Sequence, residues 1–401
     1  MWTDYTIGEL INFSGGAQPP RSTFIFEPRD GYVRLLQIRD YKTDKYATYI
    51  PIKSARKFCD KNDVMIGRYG PPIFQILRGK EGAYNVALLK AESKTKNLTK
   101  DYMFHFLCQE DLLNFVESLS ARSAGQTGIE MDQLKDYVFP LPPVNEQKQI
   151  SKILNTFDEN ISKSLSLIKK KEKQLNEFQQ LLLTGKVRFK KYIKSKGYYD
   201  GDLVKYPNDW VYTPIDKVAI QTIDKNTGSI NLPVLSCTKY DGLVDSLEYF
   251  GKRVFSKDTS TYKIVLKGEF AYATNHIEEG SIGYQNRHEK ALISPMYTSF
   301  KTNKQIDDDF LYKLLKSDLF IHIYRSSTSA SVDRRGSLRW NEFSKIKIPL
   351  PTILEQKEIA SVLSLAADEI NKLKKQLDKL KVQKKGMMQL LLTGKKRVKT
   401  K

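Results

Sequence analysis

Several groups of residues in this sequence have types and spacings that could do chemistry, and each falls short of a complete site. Gly70-Pro71-Pro72-Ile73-Phe74 carries the proline-proline-aromatic part of a pattern that holds a target amine for methyl transfer. It lacks the polar residue that would bind the amine, and no glycine-rich cofactor loop accompanies it, so it reads as a turn. Gly185-Lys186 and Gly394-Lys395 begin like the end of a phosphate-cradling loop but continue with Val187 and Lys396 where Ser or Thr is needed; they read as helix stops. Glu146-Gln147-Lys148 and Glu355-Gln356-Lys357 match half of a nuclease acid-x-lysine pattern. They stand at matched helix starts, where a carboxylate favours the positive end of the dipole, and a structural role explains them better. His105, His276, His288 and His322 have no metal-ligand spacing, and Cys59, Cys108 and Cys237 are odd in number, far apart and without a CxxC pair. The cysteines read as small buried hydrophobes in a reducing cytosol. No catalytic, cofactor-binding or metal site is therefore expected in this chain.

What remains is the chemistry of contact. Residues 325–343 (RSSTSASVDRRGSLRWNEF) and residues 120–134 (SARSAGQTGIEMDQL) combine small hydroxyl side chains with arginines on loops. Such loops suit a nucleic-acid surface, since Ser and Thr contact phosphates and Arg grips guanine O6 and N7 through its planar fork. A merely solvated loop has the same composition. The candidates for DNA contact are Arg325, Ser329, Arg334, Arg335 and Arg339 in the later segment and Arg122 and Gln126 in the earlier one. Arg68 and Tyr69 follow one strand-like run, and Asn275 and His276, after Thr274, hold the corresponding place behind another. Asn reads adenine bidentately and Tyr stacks on a displaced base, although all four fit a turn equally well.

The elements that would position these residues occur twice. PLP, EQK and QLLLTGK appear letter for letter in two segments, so that Pro140 and Pro349, Glu146 and Glu355, and Gly185 and Gly394 all stand 209 residues apart without a gap. The repeat extends into the flanking parts: Trp2 and Ile7 match Trp210 and Ile215, and 61–65 matches 267–271. Between the shared blocks, apolar residues alternate at four and three: Ile150, Leu154, Phe157, Ile161, Ile168, Leu175, Phe178 and Leu182 in the first copy. In the second, Ile359, Leu363, Ala366, Ile370, Leu373, Leu377, Leu380, Met387 and Leu391 do the same. These are coiled-coil seams, with polar breaks at Ser164, Lys171 and Lys384 expected to fix register. Asn145 and the Thr352-to-Glu355 capping box can start the helices, and Gly185 and Gly394 can stop them. Each is then about 39 residues, or roughly 58 Å. A parallel pairing would require the linker Lys186 to Tyr206 to retrace that length almost fully extended, so antiparallel pairing is expected.

Ahead of each long helix lies a mixed module. Strand-like runs at 32–38, 63–69 and 84–91 precede a helix near Lys100 to Ser120; runs at 232–237, 269–274 and 298–302 precede one near Asp307 to Arg325. Length and composition agree with two such modules, since 401 residues with 40% hydrophobic and 11% aromatic content bury two ordinary cores. The 66 Lys plus Arg against 46 Asp plus Glu leave a net charge of +20, which favours a polyanionic partner. Nowhere do about 18 apolar residues run uninterrupted, and the first residues have no basic-then-apolar order; a soluble cytoplasmic protein without membrane contact is expected.

In the blocks PLPPVNEQKQI and IPLPTILEQKEIA, followed by heptads and LLLTGK, the sequence resembles the specificity subunits of type I restriction-modification systems. The resemblance covers the whole chain and implies an α+β fold of two globular target-recognition domains, each followed by one of two long conserved helices that form an antiparallel coiled coil with pseudo-two-fold symmetry. The implied divisions are 1–143 (target-recognition domain 1), 144–190 (conserved helical region 1), 191–347 (linker and target-recognition domain 2) and 348–401 (conserved helical region 2). It further implies a non-catalytic subunit that reads a bipartite, asymmetric site in double-stranded DNA. Two modification (methyltransferase) subunits carrying S-adenosylmethionine and ATP-dependent restriction subunits using Mg would assemble on it, which accounts for the missing chemistry. Two rival readings make distinct predictions: a self-sufficient restriction-methylation enzyme would methylate DNA alone, and a structural coiled coil with basic ends would bind DNA without sequence preference.

Overall fold

The computed structural model describes residues 2–70, 72–120, 128–227, 230–328 and 337–399. The chain forms two compact units, one from Met1–Ser166 with Lys375–Lys401 and the other from Leu167–Lys374. Each unit holds one globular module and part of both long helices.

In the first unit a four-stranded antiparallel sheet orders the strands Ile11–Gly15, Leu88–Ser93, Val64–Gly67 and Gln75–Leu77. The second unit repeats this order with Ala219–Thr222, Tyr297–Thr302, Phe270–Ala273 and Ile282–Tyr284. The central strands Val64–Gly67 and Phe270–Ala273 are buried along their whole length, as strands covered on both faces must be. A short ribbon also recurs: Thr3–Thr6 pairs antiparallel with Val138–Leu141, and Val211–Pro214 with Lys347–Leu350. It ties the start of each module to the PLP segment at its end.

The expected runs contain strands, with two refinements. Residues 84–91 belong to two strands, Gly82–Tyr84 and Leu88–Ser93, because Asn85 turns the chain by accepting the amide of Ala87 on its side chain and that of Leu88 on its carbonyl. Each module helix is a pair: Lys100–Leu107 with Glu110–Ser120, and Asp308–Leu315 with Asp318–Thr328. In the second module Ser317 bonds back to the Leu314 carbonyl while its own carbonyl accepts Ile321 N–H, ending one helix and starting the next. Apolar periodicity continues across such a break, which hides it from the sequence.

The long helices span Val144–Leu183 and Ile353–Leu392, 40 residues each. Gly185 and Gly394 follow them at φ +69° and +72°, the left-handed conformation that closes a helix and that a side chain would strain. Asn145 is not the cap. It lies in the first turn, and the Pro143 carbonyl accepts the amides of Glu146 and Gln147. At the second start, Thr352 Oγ1 accepts the Glu355 amide at 3.4 Å, but the Glu355 carboxylate turns elsewhere.

It turns to the other helix. In the second unit Arg188, just past the end of the first long helix, donates from Nε and from its terminal nitrogen to Glu355 at 2.8 and 2.9 Å. Trp210 Nε1 donates to the same carboxylate at 3.2 Å, and the Arg188 guanidinium lies 5.4 Å from the Trp210 ring centre. The first unit repeats this lock with the helices exchanged: Arg397 donates twice to Glu146 at 2.7 Å, Trp2 Nε1 at 2.9 Å, and Arg397 lies 5.3 Å over the Trp2 ring. The Arg397 guanidinium holds the Glu146 carboxyl below its ordinary value, against the opposing effect of burial. Both EQK glutamates are thus spent on arginine, while Lys148 and Lys357 face solvent, leaving no acid-lysine pair for chemistry. The neighbouring glutamines are fully buried. Gln147 donates to the carbonyls of Pro142 and Asn97 and accepts the Thr99 amide. Gln356 donates to Pro351 and Gln305 and accepts the Asp307 amide. Since Thr99 and Asp307 cap the first module helices, each EQK block joins helix tail, helix start and module.

Within each unit the two long helices run antiparallel. In the first, Glu146 meets Arg397 and Asp158 meets Lys384 at 2.5 Å; in the second, Lys171 meets Glu369 at 2.8 Å and Arg188 meets Glu355. Rising numbers on one helix meet falling numbers on the other. The polar breaks Lys171 and Lys384 are answered by carboxylates across the seam, where a slip in register would leave them unpaired.

Module and helices share one core in each unit. Ile7, Ile66, Phe106 and Phe139 pack with Ile150 and Leu154 of the first long helix and Leu391 and Leu392 of the second. In the other unit Ile215, Phe270, Phe310 and Phe343 pack with Leu182, Leu183, Ile359 and Leu363. The last two leucines of each shared QLLL, Leu182 and Leu183 and Leu391 and Leu392, are therefore core residues, each worth about 2–5 kcal/mol against truncation to Ala, while Leu181 and Leu390 are exposed. The stretch after the first long helix is folded as well: Tyr198–Asp200 pairs with Lys205–Pro207, and Tyr192 Oη donates to Glu358 at 2.8 Å. The three cysteines form no disulfide, and burial raises the thiols to about 11 for Cys59 and about 12 for Cys108 and Cys237. Among the described residues no helix is long and apolar enough to cross a membrane.

Candidate nucleic-acid interface

In the second unit the buried strand Phe270–Ala273 ends in a turn that Thr274 anchors by donating Oγ1 to the Met296 carbonyl at 2.9 Å. Asn275 and His276 follow, and the Thr274 carbonyl accepts the Leu338 amide at 3.0 Å. That bond brings Arg339, an exposed residue opening the short helix Trp340–Phe343, beside the turn. On the other side, Arg325 Nε donates to the Glu278 carbonyl at 3.2 Å. Four of the candidates, Arg325, Arg339, Asn275 and His276, thus converge from three separate stretches of chain. Glu278 and Glu279 lie in the same turn, and their carboxylates approach the His276 ring within 4.8 Å. Arg325 and Arg339 bring positive charge to this surface. Ser329, Arg334 and Arg335 lie outside the described residues.

The first unit has the same arrangement. The strand Val64–Gly67 leads into Arg68, whose amide donates to the Ala87 carbonyl at 2.9 Å and whose guanidinium lies 5.2 Å from the Tyr69 ring centre. Tyr69 is 44% exposed and forms an antiparallel bridge with Gly128. This contact matches that of Thr274 with Leu338, so in both units the turn after the central strand is tied to the chain returning from the arginine-bearing segment. Arg122 and Gln126 lie outside the described residues. Of the Gly70-to-Phe74 pattern, Pro71 lies outside the described residues; the strands Val64–Gly67 and Gln75–Leu77 on either side pair antiparallel, with the Phe74 amide bonded to the Gly67 carbonyl. Phe74 adopts φ +56° while 3% exposed, a strained backbone held by its place in the core. Its ring is a packing group, in keeping with the expectation of a turn.

Sequence reasoning missed one exposed aromatic group of the second unit. Tyr240, 77% exposed, sits at the tip of the hairpin Leu235–Thr238 with Gly242–Asp245, and Lys239 Nζ lies 5.3 Å from its ring centre. A Lys-Tyr-Asp-Gly tip between two strand-like runs was the available signal.

A family model described as the type I restriction modification DNA specificity domain matches the chain twice, over residues 1–177 and 169–381. The chain belongs to this DNA specificity family. The double match falls on the two copies of module plus helix. The type I restriction enzyme MjaVIII specificity subunit of Methanocaldococcus jannaschii is 26% identical, over 99% of this chain and 93% of that one. The EcoBI specificity subunit of Escherichia coli is 24% identical over 92% and 81%. The fold is shared with the type I S subunit from M. genitalium, at a TM-score of 0.56 and 16% identity over 98% of this chain and 96% of that one. It is also shared, at 0.58 and 12% identity over 98% and 97%, with a chain from a study of assembly and conformational transition in the type I R-M system. As a specificity-family member the chain is a DNA-recognition component and not the catalyst, which is why its EQK, GK and GPPIF patterns are consumed by structure.

Proposed function

We propose that this chain addresses a type I restriction-modification complex to a bipartite, asymmetric site in double-stranded DNA, each unit reading one half. The observation that supports this most is the repetition, within one chain of a DNA specificity family, of the same sheet order, the same turn-to-loop contact and the same helix lock. Two readers with different loops on equivalent frames give two different half-sites. Joining them by helices about 60 Å long turns the second contact into an intramolecular event and sets the number of unread base pairs between. Two identical modification subunits would dock on the near-equivalent frames, bringing S-adenosylmethionine; restriction subunits would bring ATP and Mg, and the complex would work in the cytoplasm. The arginine, amide and aromatic side chains of the two turn regions are the proposed readers. Purified chain incubated with DNA and labelled S-adenosylmethionine is expected to transfer no methyl groups, and addition of the modification subunits to give sequence-specific transfer. Methylation by the chain alone would overturn this reading.

A further inference from the structure

The first module carries a cleft of about 810 Å³ that neither Arg68 nor Tyr69 lines. Its floor is Leu35, buried at 1% exposure in the strand Tyr32–Leu36, which is held between Tyr49–Pro51 and Gly82–Tyr84. The cleft is thus built on a fixed sheet. Phe26 and Tyr46 stand in its wall at 72% and 51% exposure, which is costly for aromatic rings with nothing to cover them. Arg39 and Lys45 approach the Tyr46 ring centre to 5.8 and 5.3 Å, and Arg21 lines the same cleft. No carboxylate lines it, and none forms an ion pair with these three cations among the described residues. Gln37, whose Nε2 donates a hydrogen bond to Thr48 Oγ1 at 3.3 Å, supplies a polar edge inside.

Rings to stack on, cations without counter-charge and a fixed amide are what one nucleotide requires: a π-face, a phosphate and a hydrogen-bonding edge. Groove reading uses elements that protrude into the duplex. A concave site of this volume, within the range of about 300–1,000 Å³ of small-molecule pockets, receives a group that has left the stack. We propose that this cleft takes a single nucleotide of the DNA unstacked from its duplex, its base against Phe26 and Tyr46 and its phosphate beside Arg21, Arg39 and Lys45. This rests on the reading that the module binds DNA, and adds that part of its specificity is the ease with which one base leaves the helix.

The test uses the chain assembled with its modification subunits and a duplex carrying the half-site of this module, with 2-aminopurine or pyrrolocytosine placed in turn at each position. One position is expected to brighten several-fold on binding. In Phe26→Ala/Tyr46→Ala that brightening is lost and affinity falls roughly tenfold, whereas Tyr46→Phe keeps both. Both rings are largely exposed, so these variants keep the fold. Arg39→Gln/Lys45→Gln weakens binding and flattens its salt dependence. If no position brightens, or the brightening survives loss of both rings, the inference is overturned while the DNA-addressing role stands. If free dAMP or dCMP occupies the cleft and the duplex does not compete, it is likewise overturned. If the complex shows no sequence-specific binding, the functional reading itself fails.

Discussion

Replacing Arg188 with Ala leaves the Glu355 carboxylate without its bidentate partner at a helix start where it is 1% exposed, and the Arg188 side chain that covers it is only 6% exposed. Breaking a buried pair from one side costs about 3–5 kcal/mol, because the remaining charge stays buried and uncompensated. Asp209 also loses its 2.7 Å contact to Arg188 but keeps the Lys194 amide. Trp210 is the natural reporter, since its indole nitrogen bonds Glu355 and its ring lies under Arg188. With Trp2 and Trp340 replaced by Phe, urea unfolding of the second unit can be followed by Trp210 fluorescence. At an m-value of roughly 2–3 kcal/mol/M the midpoint should fall by about 1–2.5 M. Glu355→Leu combined with Arg188→Leu should cost much less than the two single changes added together. Arg397→Ala, with its guanidinium half exposed, should shift the first unit much less. A midpoint change below about 0.5 M for Arg188→Ala, or equal effects at Arg188 and Arg397, would refute the claim that this lock is buried and holds the helix ends.

Other expected outcomes follow from single sites. His105 is fully buried, its Nε2 at 2.8 Å from Asn155 Oδ1 and its Nδ1 4.0 Å from Asp158, with Lys384 and Arg78 near; burial lowers its pKa to about 4. Folded protein therefore binds fewer protons there than unfolded chain, whose histidine titrates near 6.5. Stability of the first unit should be complete above about pH 6.5 and decline by about 3 kcal/mol as pH falls towards 4, and His105→Gln should flatten that slope in Trp2-monitored unfolding. Gly185→Ala should destabilise by more than about 1 kcal/mol, because a Cβ there sits at φ +69° and 2.5 Å from Pro207. Gly394→Ala, with the Trp2 ring at 3.2 Å, should cost less in the same melts. Inserting four residues into each long helix where Lys171 meets Glu369 should lengthen the unread spacer by about one to two base pairs. Altered half-sites with an unchanged spacer would sink this last expectation.

The duplication was legible because its blocks do fixed structural work: the last two leucines of each QLLL fill a core, Gly185 and Gly394 need left-handed backbone, and EQK binds helix to module. Heptad spacing located the seam for the same reason, since only one face of each helix is covered. The Arg188–Glu355–Trp210 lock escaped notice although its letters recur at Glu146, Arg397 and Trp2. Its partners are up to 167 residues apart and those of its copy up to 251, and helix-dipole logic already accounted for the glutamates. Asn145 was misplaced as a cap because a proline carbonyl serves as well. Of the candidate readers, the structure gathers Arg325, Arg339, Asn275 and His276 about one turn and sets Arg68 and Tyr69 at the equivalent one. The aromatic cleft had no sequence signature, since its lining comes from segments around Arg21, Gln37 and Asn85 with no shared period.

The proposed function requires one chain to read two different half-sites. Single-molecule methylome sequencing of a host carrying this chain with its modification subunits tests that directly. The predicted result is one bipartite motif, two dissimilar half-sites separated by a fixed run of unread bases, lost when the chain is deleted. A continuous motif, a palindrome, or a motif that survives deletion of the chain would contradict it.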